Sequence, residues 1–93
     1  MPAPVKAVAL EETYDATISA STEITLNTAT SYIVVTAIDK AVFLKWGTAD
    51  ASSTDFDACI PANTTRGFNV PDAITAVNFI EEAATAKLAV VEF

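Results

Sequence analysis

The chain contains no histidine and a single cysteine in 93 residues, and those two scarcities remove most site chemistry. Nucleophilic catalysis needs a base held beside the attacking group. Without histidine only a Ser–Lys pairing is formally available, and neither a Gly-x-Ser-x-Gly turn nor any other motif supports one. Zinc sites draw on clustered His and Cys, so nitrogen and sulfur coordination is excluded, and with it the histidine-held metal of cupin-type sandwiches. Glycine occurs only at Gly47 and Gly67, too sparsely for a loop that cradles phosphate. Lone Cys59 rules out an internal disulfide and suits synthesis in a reducing cytoplasm. It sits inside the apolar run 56–60, which predicts a small buried hydrophobe rather than a reactive thiol. No apolar run reaches the roughly 18 residues that span a bilayer. The longest, residues 83–91, is broken by Thr85 and Lys87. The opening Met-Pro-Ala-Pro-Val-Lys lacks a basic segment followed by an apolar one, so no signal peptide is expected.

Positive charge is scarce as well. Twelve acids against five bases give a net charge of −7 and a pI near 4.1. A phosphate backbone is therefore not an expected direct partner. The acid surplus reads first as a solubility device and second as a face that docks onto a basic partner. Hydrophobic residues nevertheless make up 52% of the chain, with a mean hydropathy of +0.38. With no membrane-spanning run, that excess is expected in subunit contacts. The length suits one domain: an N-terminal arm and first strand over residues 1–10, and a single β-sandwich over residues 5–93.

What the chain has in quantity is β signal. Residues 41–46, 56–60, 67–70 leading into 74–80, and 87–93 are apolar runs divided by Trp46-Gly47-Thr48, Ile60-Pro61-Ala62-Asn63 and Asn69-Val70-Pro71-Asp72. Such spacing predicts an all-β fold, a small antiparallel sandwich of about eight short strands. Upstream, residues 5–10 suit a first strand, 11–14 a polar turn, and 16–20 and 23–26 short strands. The strongest run is 31–37, around Tyr32-Ile33-Val34-Val35-Thr36. Asp39-Lys40 is expected to turn it into 41–46 as an antiparallel hairpin. Residues 71–74 suit a single 3₁₀ turn, and Glu81-Glu82-Ala83-Ala84 a hairpin turn. Several strands are apolar on both faces: Leu88 and Val90 oppose Ala89, Val91 and Phe93, while Tyr32, Val34 and Thr36 oppose Ile33, Val35 and Ala37. One face of a sandwich strand meets the core, so a second apolar face implies a covering partner or another copy. Scattered exposed apolar residues are the plainer account.

Three groups of residues invite a site. Asp50, Asp55 and Asp57 with Ser52, Ser53 and Thr54 supply hard oxygens suited to Ca²⁺, but match no EF-hand spacing. Solvated loop acids are the simpler reading. The doublets Glu11/Glu12 and Glu81/Glu82 resemble acid/base pairs, yet adjacent strand residues point to opposite faces and cannot converge on one bond. Trp46, with Phe43, Tyr14 and Tyr32, could stack on a sugar; a Trp at a strand end beside Gly47 more often plugs a sandwich rim. No cofactor and no catalytic residues are expected.

The succession Ala41-Val42-Phe43-Leu44-Lys45-Trp46-Gly47-Thr48, a small-residue loop, then Ile60-Pro61-Ala62-Asn63 resembles small β-sandwich virion structural proteins of tailed bacteriophages. So do Ile74-Thr75-Ala76-Val77-Asn78-Phe79-Ile80 and the close Ala86-Lys87-Leu88-Ala89-Val90-Val91-Glu92-Phe93. The resemblance covers residues 32–93. Lys45 and Asp50 depart from it, standing where that pattern has a more basic strand and a glycine-rich loop. It implies a jelly-roll-like sandwich acting as a capsid decoration, or cement, protein on the virion surface. Such a protein has no enzymatic role. It binds the major capsid protein and itself, as a homo-oligomer of trimer type. The residues expected to carry these contacts are Pro2, Pro4, Val5, Val8 and Leu10 in the arm, and Ala89, Val91 and Phe93 for self-association. The alternative is a carbohydrate- or receptor-binding module of a phage fibre or tail, carried by Trp46 and the 50–57 loop.

Overall fold

A computed structural model describes residues 9–93, which form eight strands and no helix. The strands are β1 (Glu11–Asp15), β2 (Thr22–Thr25), β3 (Tyr32–Ile38), β4 (Val42–Trp46), β5 (Ala58–Ile60), β6 (Thr64–Asn69), β7 (Ala76–Glu81) and β8 (Lys87–Glu92). They make two four-stranded antiparallel sheets, ordered β1-β8-β3-β6 and β2-β7-β4-β5. Within these sheets β1 pairs β8, β2 pairs β7, β3 pairs β6 and β4 pairs β5. That nesting is one long hairpin, folded at the β4–β5 connection and rolled over itself, which is the connectivity of a jelly roll. The fold expected from the sequence is the fold observed.

Alternation supplies the core. In the first sheet Ile33, Val35 and Ala37 of β3 and Leu88 and Val90 of β8 point inward; in the second, Val42 and Leu44 of β4 and Val77 and Phe79 of β7 meet them. Burial of each of these side chains except the small Ala37 contributes about 1.5–3 kcal/mol of hydrophobic stabilisation. Ile18 is fully buried although it lies outside any strand, and its carbonyl accepts the Glu81 N–H at 3.1 Å. Residues 16–20 are thus an anchoring connection, where the sequence suggests a strand.

Several local expectations are corrected by the rolled connectivity. Residues 31–37 and 41–46 do form strands, but β3 and β4 lie in different sheets and make no hairpin. Asp39, at φ 75°, carries the chain across the sandwich instead of back along it. β7 and β8 are divided in the same way, so the 81–84 segment leads between sheets rather than around a hairpin. Residues 71–74 form a turn, with Ile74 N–H donating to Pro71 O at 3.2 Å, without a 3₁₀ helix. The expected polar turn at 11–14 is strand β1: its backbone pairs with β8 from Glu11↔Glu92 to Asp15↔Leu88, and that ladder outweighs a polar composition. The expected first strand over residues 5–10 falls largely outside the described residues, and Leu10 precedes β1.

Side chains tie the interstrand loops at one end. Asp39 N–H donates to Asn63 Oδ1 at 2.9 Å, and the Thr85 hydroxyl donates to Asp39 Oδ2. Asp39, Asn63 and Thr85 all hold left-handed backbone, at φ 75°, 57° and 77°. Asp and Asn tolerate that region well; a β-branched Thr does so at a cost the hydroxyl contact helps to offset.

Candidate contact surface

The outward faces of the two sheets are treated differently. On the β2-β7-β4-β5 sheet the chain covers itself. The long β4–β5 connection, residues 47–57, folds back over the outer side of β4 and β7. Phe56 packs tilted against Phe43 with ring centroids 4.5 Å apart, and Lys45 Nζ pairs with Asp55 at 2.5 Å. Asp57 accepts the Trp46 N–H at 2.8 Å through its carboxylate and donates its own N–H to Leu44 O at 2.7 Å. Asn78 is the fastening. It points outward from β7 yet is only 2% exposed, because its Nδ2 donates to Gly47 O at 2.9 Å and its Oδ1 accepts from the Ser21 hydroxyl at 3.0 Å. Ser21 Oγ in turn accepts the Ala51 N–H at 2.9 Å.

The β1-β8-β3-β6 sheet has no such roof among the described residues. Its outward side chains fall in register across the strands. One row runs Tyr14, Ala89, Thr36 and Thr65; the next runs Glu12, Val91, Val34 and Gly67. Lys87 and Ile38 flank the first row on one side, and Phe93 and Tyr32 lie beyond the second. The face is mostly apolar and only half-buried. Tyr14 is 62% exposed. An open groove of about 350 Å³ runs along it, lined by Glu12, Thr13 and Tyr14 of β1 and Ala89, Val90 and Val91 of β8. At the other margin the Tyr32 ring lies over Gly67, where a Cβ would fall 1.7 Å from its hydroxyl oxygen, so glycine leaves the seat that the ring fills.

The structure thus brings Ala89, Val91 and Phe93 together on one outward face. Leu10, 43% exposed, donates its N–H to Glu92 O at 2.7 Å beside that face. Pro2, Pro4, Val5 and Val8 lie outside the described residues. Trp46 is a rim plug: it points inward, packs against the core and meets Phe68 edge-on at 6.3 Å. It does not share a face with Tyr14 and Tyr32, so the sugar-stacking set is not assembled. Asp55 and Asp57 are held by Lys45 and the Trp46 amide, and among the described residues no three His, Cys, Asp or Glu side chains gather as a metal site. Cys59 corrects another expectation. It lies on edge strand β5 and faces outward, exposed, while its neighbours Ala58 and Ile60 take the inward positions. Desolvation on the sheet surface, followed by the Glu82 carboxylate, pushes its thiol above the ordinary value, so it is not an activated nucleophile.

Two side chains carry structure that the sequence reading did not single out. Asn78 is one. Glu92 is the other: it is fully buried, and its Oε1 accepts the Asn27 N–H and the Thr30 hydroxyl, each at 2.8 Å. Its Oε2 has no partner among the described residues. The signal for Glu92 was present in the alternation, which sets it on the same face as Leu88 and Val90.

Comparison with known proteins gives no family model, no curated protein and no solved structure that matches the chain.

Proposed function

We propose that this protein works by contact rather than by chemistry, as a capsid decoration protein of a tailed phage that associates with itself through the outward face of the β1-β8-β3-β6 sheet. The observation that supports contact is the asymmetry of the two outer faces. One is roofed and hydrogen-bonded by the chain's own 47–57 loop; the other keeps Tyr14, Val34, Ala89 and Val91 at the surface around an open groove. Apolar area left uncovered in a small domain costs solubility, and a net charge of −7 offsets that cost in the free chain. The virion assignment rests on the sequence resemblance of residues 32–93, and the jelly-roll connectivity is compatible with it, although that connectivity serves many functions. In this reading the arm residues Pro2, Pro4, Val5, Val8 and Leu10 reach the major capsid protein, and the exposed sheet joins copies on the capsid surface. Each contact adds area that must be re-exposed when the shell opens, at about 25 cal/mol per Å² before the cost of association.

Co-sedimentation with empty heads of the source phage tests the assignment. A decoration protein pellets with heads at a saturable stoichiometry and raises the temperature at which the heads open. Recovery of all the protein in the supernatant, with unchanged head stability, removes it.

A further inference from the structure

The proposed self-association face has a built-in two-fold arrangement, and this inference rests on that reading. We infer that two copies pack face to face across the row Tyr14–Ala89–Thr36, related by a two-fold axis lying along that row. Charge and shape point to this occupant, and size sets the strength of the contact.

The first is charge. Glu12 lies one row to one side of the central row, beside Val91, and Lys87 lies one row to the other side, on the neighbouring strand β8. A two-fold along the central row exchanges the two sides. It sets Lys87 of one copy over Val91 of the other, one strand spacing, about 4.8 Å, from Glu12. Neither residue makes an ion pair within the described chain. The contact therefore carries two reciprocal Lys87–Glu12 pairs, and the one basic residue on this face meets an acid twice over. A two-fold along strand β8 instead would set Lys87 against Lys87 and Glu12 over Val34, with no pair of opposite charges.

The second is shape. Ala89 is the smallest side chain of the central row and leaves the groove open above β8, while Tyr14 stands out beside it. The same operation brings each Tyr14 to the Tyr14 of the second copy, with the groove over Ala89 beside it to receive a ring. Val34 meets Ile38 of the second copy, and the reverse. Face-packed sheets align within about 30° of one another, which antiparallel copies related in this way satisfy.

The third is size. Four strands at about 4.8 Å spacing and some 20 Å of length give a face of roughly 400 Å². A stable complex buries roughly 800 Å² per partner. The pair is therefore a weak, concentration-dependent dimer in solution. An isologous contact of this kind closes at two copies, in place of the trimer that the resemblance implies.

Reciprocal charge reversal tests the arrangement. Glu12→Lys places lysines at both ends of the contact, and Lys87→Glu places glutamates at both. Each variant alone is expected to weaken the dimer about tenfold or more, as two exposed pairs become two like-charge contacts. An equimolar mixture of the two variants restores complementary pairs in the heterodimer and is expected to regain wild-type affinity by sedimentation velocity. Both positions face solvent at the sheet surface, and unchanged melting temperatures establish that each variant is folded. Tyr14→Ser, which empties the groove without altering charge, is expected to weaken the dimer and to gain nothing from mixing. A wild-type dimer with no recovery in the mixture overturns the two-fold arrangement and leaves self-association standing. A wild type that stays monomeric at every concentration overturns both.

Discussion

Glu92 is the side chain whose loss the structure makes most consequential. Its backbone belongs to β8, central in its sheet, while its carboxylate reaches the β2–β3 connection and holds Asn27 and Thr30 at 2.8 Å each. Burying a carboxylate is tolerable only when hydrogen bonds replace water, and here one oxygen has two donors while the other has none among the described residues. Glu92→Ala removes both bonds, strands the Asn27 N–H and opens a cavity, and is expected to cost about 2–4 kcal/mol in urea unfolding. Glu92→Gln keeps an oxygen acceptor for Asn27 and Thr30 and the side chain's volume, so it is expected to cost less than Glu92→Ala. Equal losses in the two variants would mean that the carboxylate itself, rather than the side chain's volume or a single oxygen acceptor, is what the site needs. Alternation alone placed this glutamate inward; what it could not supply was the pair of donors, which come from residues 65 and 62 positions away.

At the scale of elements, side chains tie the loops at one end of the sandwich to one another. Asp39 links two of them, accepting from the Thr85 hydroxyl and donating to Asn63. The Thr85 bond, with the nearby charges of Lys40 and Lys87, holds the Asp39 carboxyl below its ordinary value of 3.8. A carboxyl depressed in the folded state stabilises the fold above its unfolded value, and that contribution is lost as pH falls below 3.8 toward the folded value. The melting temperature of the wild type should therefore exceed that of Asp39→Asn at neutral pH, with the gap closing as the solution is acidified below that point. A gap that stays constant down to acid pH would place the contribution in packing instead. The strands themselves were legible because Leu88 and Val90, or Ile33 and Val35, alternate with outward residues. Their partners were not. Period-two alternation says which side of a strand faces the core but nothing of which strand lies beside it, so the short Asp39-Lys40 connection read as a hairpin turn when it is a crossing between sheets. β1 was hidden for a related reason: Glu11-Glu12-Thr13-Tyr14-Asp15 is held by the β8 ladder, not by its own preference.

At the scale of the molecule, the sandwich has one outer face roofed by its own loop and one that no described residue covers. The doubly apolar character of β3 and β8 was visible in the sequence. The roof over the other sheet was not, because it depends on Asn78 meeting Gly47 and Ser21, contacts that span 31 and 57 positions. The difference between the faces turns an apolar composition into a specific claim about where copies meet. Light scattering on the purified protein over a wide concentration range tests that claim most directly, with Val34→Asp as its companion. Self-association through the open sheet requires the wild-type mass to climb from 9.8 kDa toward twice that value, and Val34→Asp to hold at 9.8 kDa with its fold intact. A wild type fixed at 9.8 kDa throughout, or a Val34→Asp variant that associates as well as the wild type, would contradict it.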